Sequence, residues 1–366
     1  MKDLLKKLIQ ADTTLSKGEI KAAQLIKEEL QKVSVPCEVD TWDENRANAI
    51  VHLKSTGEKP ALLFVCHIDV VPPGNVKWVY PPFSGTEKDG KIHGRGSVDM
   101  KGGTAAIVKA IKEIVESGVK LKGDLLLAAT AGEETDSCGV KRFVESFSTK
   151  MPALAGVVLP EPTNFEVITS HRGLFWVKIV TRGKTAHGST PHLGINAVLL
   201  MHNLLTELNE YKNRIPTGVS MSINMISGGK ALNVVPDECT VGIDFRTAPE
   251  YEHGQITSDL EGIFAKLKNQ YPDFNAQITV AKQTDPLNSD NNSKFIKDAC
   301  RIVGAKSTTH ANYATDGPLV AGFSAPVIIC GPGNSDSCHK PDECIDFCEV
   351  EKAVDFYKAL ILEYLV

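Results

Sequence analysis

Residues 61–74, ALLFVCHIDVVPPG, run from an apolar strand-like segment into a Pro/Gly loop, with His67 and Asp69 standing at the junction. Similar runs recur at Asn48–Leu53, Asp124–Thr130, Gly156–Leu159 and Val327–Cys330, and a helical pattern falls near Thr104–Val115. Strands separated by helices predict an α/β fold with a mostly parallel central sheet. Upstream, Ser16 and Glu19 read as an S-x-x-E capping box before a helix whose Ile20, Ala23, Ile26, Leu30 and Val33 share one face. An amphipathic helix near Val350–Tyr364 is expected to end the fold.

From about Arg172 the texture changes. Alternating segments at Leu174–Thr181, Val219–Ile226 and Cys239–Phe245 mix with helical patterns near Ile195–Leu208 and Gln255–Leu267. That order suits helices on one face of an antiparallel sheet. After Asp285-Pro286 the α/β texture returns. One domain in two pieces, 1–171 and 287–366, is therefore expected, with a smaller α+β domain, 172–286, inserted between them.

A chain of 366 residues can bury two cores without a metal or disulfide staple. The formal net charge of −5 gives no footprint for a nucleic-acid partner. The start, MKDLLKKLIQADTT, reads as an amphipathic surface helix rather than a secretory segment, and no stretch reaches the about 20 apolar residues of a membrane span. A cytoplasmic chain is expected, and its nine cysteines are then free thiols, most of them small buried hydrophobes. Cys330, Cys338, Cys344 and Cys348 crowd around His339, but they lack the C-x2-C knuckle of a structural zinc site.

Five residues offer metal ligation, each a modest signal. His67 and Asp69 lie on the same side of an extended backbone, which suits a ligand histidine oriented by a carboxylate; alone, H-x-D reads as a surface histidine beside a loop acid. Asp99, in HGRGSVDMKGG, follows a Gly-rich approach and precedes a helix, as an ordinary N-cap would. Glu133 and Glu134, in AATAGEETDSCG, leave a buried strand side by side, so one can hold metal while the other faces substrate. Glu161 is flanked by Pro160 and Pro162 at another strand end, and His339 sits in a Gly/Pro/Ser loop after Val327–Cys330. All five fall at strand exits of one α/β piece, where open sheets carry their sites.

Taken together, CHIDVVPPG, GRGSVDMKGG, AGEET, EPT and the closing HKPDE resemble the M20 metallopeptidase family, in particular its acetylornithine deacetylase and succinyl-diaminopimelate desuccinylase branch. The resemblance implies a zinc-peptidase-like catalytic domain and an inserted lid and dimerisation domain. It implies two zinc ions per subunit, replaceable by cobalt or manganese, with Asp99 bridging, His67 and Glu161 completing one site, and Glu134 and His339 the other. Glu133 is then the general base, Asp69 the partner of His67, and a cis peptide follows Asp99. A zinc-acidified water would attack the amide.

In the inserted domain the resemblance makes His187 an oxyanion donor that reaches the partner subunit's site, which implies a homodimer. Arg246 suits a clamp on a substrate carboxylate, with a structural salt bridge as the alternative, and Asn233 would hold the group beside it. Thr315, in ATDGPLVAG, falls where relatives shape the pocket's end. That run differs from the T-D-G-G-T-S-D of proteobacterial desuccinylases, and Gly132-Glu133-Glu134 differs from their D-E-E. The expected reaction is removal of an acetyl or succinyl group from an N-acyl amino acid such as N-acetylornithine or N-succinyl-diaminopimelate. A dipeptidase or carboxypeptidase is the alternative, and an inactive metal- or peptide-binding relative a further one. The expected partner is a small molecule.

Overall fold

The computed structural model describes residues 1–249 and 251–366. Its central sheet runs Glu38–Trp42, Arg46–Leu53, Leu125–Thr130, Ala61–His67, Leu154–Leu159, Val327–Ile329, Ile168–His171. The three central pairings are parallel, and the flanking ones are antiparallel. Parallel strands covered on both faces lose their alternation. Accordingly every residue of Ala61–His67 and of Leu125–Thr130 is buried.

The helices Gly102–Glu116 and Phe347–Leu365 pack on each other, and from the second Tyr357 turns its ring edge-on to Phe64 and donates its hydroxyl to the Cys330 carbonyl at 3.1 Å. Each large apolar side chain buried this way contributes about 1.5–3 kcal/mol. Gly103 allows the first helix to approach the strand end Pro160, since a Cβ there would lie 2.1 Å from the Pro160 carbonyl oxygen.

Contacts divide the chain into two compact units. The first comprises 1–170, 289–310 and 315–366, with the core just described. Where its segments meet, Ser289 donates its N–H to the Thr169 carbonyl at 2.9 Å, and its hydroxyl accepts the Val327 N–H at 3.1 Å. The second unit, 171–288 with 311–314, has a four-stranded antiparallel sheet in the order Ser220–Gly228, Glu238–Thr247, Gly173–Arg182, Ala276–Thr284. Helices Ala197–Lys212 and His253–Gln270 bury Leu204, Leu208, Ile256 and Leu260 against that sheet in a separate core.

The capping box does not form. The helix runs Ile20–Gln31 with no side-chain cap, Ser16 is exposed, and Glu19 is wholly buried, bonded to the Arg46 guanidinium at 2.9 Å. A buried arginine competes for the carboxylate more strongly than a neutral backbone N–H does. All nine cysteines are free thiols, of which Cys37, Cys66, Cys239 and Cys330 are buried, fewer than expected. Among the described residues, no helix is long and apolar enough to cross a membrane.

Candidate metal centre

His67 is the last residue of its strand, and Ile68 continues the pairing by donating to the Thr130 carbonyl. Its Nδ1–H donates to the Asp69 carbonyl oxygen at 3.1 Å, with the Asp69 carboxylate 3.5 Å away. That bond fixes the ring so that Nε2 faces Asp99 Oδ1 at 2.9 Å and Glu161 Oε1 at 3.8 Å. The Asp69 side chain serves the neighbouring turn. Its carboxylate accepts the N–H groups of Glu133 and Glu134 at 3.2 and 3.1 Å, so one residue sets both the histidine, through its carbonyl, and the acidic turn, through its side chain.

Asp99 lies in a kinked segment, Ser97–Lys101, ahead of the helix, and its bond to Met100 is cis. Its second oxygen stands 3.2 Å from His339 Nε2, which also lies 2.9 Å from Glu134 Oε1. His339 is half exposed, on a left-handed backbone with φ 62°; a non-glycine residue held in that region stores strain of the kind found at functional sites. Two clusters result, His67–Asp99–Glu161 and Asp99–Glu134–His339, and within each the ligand atoms lie within 4.8 Å of one another.

The charges fit a pair of bound cations. The ion pairs of Asp99, Glu134 and Glu161 are made with His67 and His339. Burial, with repulsion from Asp99, Glu134 and Asp316, pushes Glu161 up to about 8 against the pull of His67. Glu133 is raised well above the carboxylate range, by burial and then by Asp316, Glu134 and Glu161. Burial and Asp99 raise Glu134. Asp99, though half-buried, is held below its usual range by hydrogen bonds from His339 and His67, and the same bond from Asp99 lifts His339 to about 10. A site with four crowded carboxyl groups and two imidazoles is short of positive charge, and a mixed N/O donor set suits divalent cations such as zinc.

The other expected site residues make contacts of their own. Thr315 is buried in the first unit, where its hydroxyl accepts the Gly317 N–H at 3.1 Å. His187, Asn233 and Arg246 belong to the second unit. There His187 Nδ1 pairs with the Ser189 hydroxyl at 2.7 Å, and the Asn233 carbonyl accepts the Gly188 N–H at 2.7 Å. The Arg246 guanidinium rests on Asp244, with Nε 3.0 Å from Oδ1, so the salt bridge weighed as its alternative is present.

One residue that supports the site has no counterpart among the sequence candidates. Glu343, buried four residues after His339, accepts the Val98 and Asp99 N–H groups at 2.9 and 3.2 Å through Oε1. Its Oε2 accepts from the buried Arg95 guanidinium at 2.5 Å. It ties the His339 loop to the Asp99 segment. The HKPDE run contains it, but nothing in that run separates a buried anchor from a solvated acid.

Carboxylates and histidines, crowded and short of cations beside a largely parallel α/β sheet, form a candidate metal centre, and with the family match they make the chain a metal-dependent hydrolase of amide bonds. The chain belongs to the peptidase family M20/M25/M40, which it matches over residues 63–363. It is similar to a probable succinyl-diaminopimelate desuccinylase of Staphylococcus aureus (29% identity over 99% of this chain and 97% of that protein). It is also similar to the acetylornithine deacetylase of Proteus mirabilis (30% identity over 84% of this chain and 81% of the other). Among solved structures, an M20 family metallo-carboxypeptidase from Sulfolobus solfataricus shares the fold with a TM-score of 0.83 at 18% identity, covering 99% of this chain and 98% of that one.

Proposed function

We propose that this protein removes an acetyl or succinyl group from an N-acyl amino acid of the N-acetylornithine or N-succinyl-diaminopimelate kind, with two zinc ions bound by His67, Asp99, Glu134, Glu161 and His339. The observation that carries this reading is the pair of ligand clusters sharing Asp99, with Glu133 next in sequence to the ligand Glu134. The near full-length similarity to two deacylases directs it to acyl amino acids.

When bound, the cations supply Lewis acidity toward the acyl carbonyl and toward water. Glu133 takes a proton from the attacking water, whose oxygen adds to the carbonyl carbon. It returns that proton to the amine nitrogen as the C–N bond breaks. Burial raises its affinity for protons, as suits a group that must donate one to the leaving amine as well as accept one from water. Asp69 holds the His67 ring and the N–H groups of the Glu133–Glu134 turn. His187 as oxyanion donor, Arg246 as a carboxylate grip, Asn233 holding the carbonyl or carboxylate beside it and Thr315 at the pocket's end complete the proposal, with a homodimer formed through the inserted unit and a cytoplasmic location. For Arg246 this requires a guanidinium that holds substrate while braced on Asp244.

The test is a hydrolysis panel of N-acetylornithine, N-succinyl-diaminopimelate and dipeptides, run after chelation and again with zinc or cobalt restored. Metal-dependent turnover of one acyl amino acid is expected, and turnover of dipeptides alone would replace the reading with a dipeptidase. Glu133→Ala should keep its metal and lose nearly all turnover. Retained turnover would sink the base assignment.

A further inference from the structure

The turn that carries Glu133 and Glu134 is closed from behind by a strand outside all the ligand motifs. Arg46–Leu53 pairs antiparallel with Leu125–Thr130, the strand that delivers the turn, with Ala49 opposite Ala129. Arg46 and Asn48, two residues apart, emerge on one face of that strand. Asn48 is wholly buried. Its Oδ1 accepts the Ala131 N–H at 3.0 Å, and its Nδ2 donates to the Gly139 carbonyl at 2.9 Å. Gly139 in turn donates its N–H to the Ala131 carbonyl at 2.9 Å, so the two ends of the 132–138 loop are stapled through one amide side chain.

Arg46 secures the side of the loop. Its Nε bonds to the buried Glu19, whose own N–H donates to the Asn45 carbonyl at 3.0 Å. Its Nη2 sits where a Cβ on Gly132 would come within 2.5 Å. Gly132 has φ +80°, so the turn needs glycine both for its backbone and for the guanidinium packed on it. On its other anchor, the Asp69 carboxylate takes the Glu133 and Glu134 N–H groups.

We propose that Asn48 and Arg46 are positioning residues that hold the Glu133–Glu134 turn in register with the metal centre; this rests on Glu134 as a ligand and Glu133 as the base. Removing the staple loosens the Asp99–Glu134–His339 cluster and leaves His67–Asp99–Glu161 in place.

The experiment uses the full chain with Asn48→Leu, measuring zinc affinity by competition with a chromophoric chelator, kcat and KM, and thermal unfolding. One of two zinc-binding steps should weaken about 10- to 100-fold while the other stays within about twofold, the scale of losing a group that orients a ligand. Turnover should follow, with kcat down about 10- to 100-fold and KM within about threefold, because the reacting geometry and not substrate binding is lost. Asn48→Thr, whose hydroxyl can accept the Ala131 N–H, should recover part of both. Wild-type zinc steps and kcat beside a lowered melting temperature would overturn the proposal, as would equal weakening of both steps. Should Asn48→Leu fail to fold, Arg46→Lys, which keeps the charge opposite Glu19 but not the planar group against Gly132, should show the same selective pattern in smaller measure. The zinc arm needs no substrate. A chain that binds two zinc ions but hydrolyses no acyl amino acid refutes the functional reading alone, and selective weakening still supports the staple.

Discussion

Replacing Glu343 by Gln perturbs the anchor under Asp99 with almost no change of volume. In the wild type the carboxylate accepts two backbone N–H groups through Oε1 and the Arg95 guanidinium through Oε2, and both partners of the ion pair are at most 2% exposed. An amide oxygen can keep the two backbone bonds, but the amide nitrogen then faces Arg95 donor to donor. The guanidinium is left buried without its counter-charge, which costs about 3–5 kcal/mol. For a unit of this size that corresponds to a melting temperature lower by roughly 10 °C. Urea unfolding of Glu343→Gln, Arg95→Met and the double variant measures the coupling. The double variant should be more stable than the sum of the two singles predicts, because it removes both charges together. Additive singles, or a Glu343→Gln loss below about 1 kcal/mol, would refute the account of the pair as a closed buried unit.

Asp69→Asn should lower kcat about 10- to 100-fold while the chain stays folded, since the amide can serve only one of the N–H groups of Glu133 and Glu134; steady-state kinetics beside a circular dichroism melt checks it, and wild-type kcat would count against the double role. His171 is buried and its pKa is pushed down to about 4 from 6.5 by burial, so between those values the unfolded chain takes up a proton that the folded one refuses. Its contribution to stability therefore falls as pH falls through that window, by about 3 kcal/mol in full. Urea midpoints of His171→Gln from pH 7 to pH 4 should decline less steeply than those of the wild type; parallel declines would show that another group carries the acid sensitivity.

The two candidate clusters were legible in part because His67, Glu134 and Glu161 follow apolar runs, while Asp99 was marked by its Gly-rich approach to a helix and His339 by a Gly/Pro/Ser loop. Strand exits announce themselves in sequence, and a histidine or carboxylate placed there stands out against the apolar run before it. What holds those residues was not legible. Glu19 matched a capping box, yet the arginine that claims it lies 27 positions on, at the start of another strand. Asn48 and Arg46 read as polar interruptions of a strand whose partner the sequence does not name. Strand direction was equally hidden. Alternation identifies Arg46–Leu53 as extended, but only the Asp43 corner, with φ 52°, shows that it doubles back on Glu38–Trp42 and sets the sheet's antiparallel margin. For Arg246 both uses were foreseen, and the Asp244 contact shows that an arginine on a strand finds an acid two residues away on the same face.

The bond from Ser289 to Thr169 closes the long excursion of the chain, 171–288, at the place where it leaves and re-enters the first unit. A segment whose two ends emerge side by side behaves as a cassette: lengthening, shortening or exchanging it leaves the strands of the central sheet in register, because little strain is transmitted through a junction closed by its own hydrogen bonds. The central sheet and the inserted segment can then change length and sequence independently of one another.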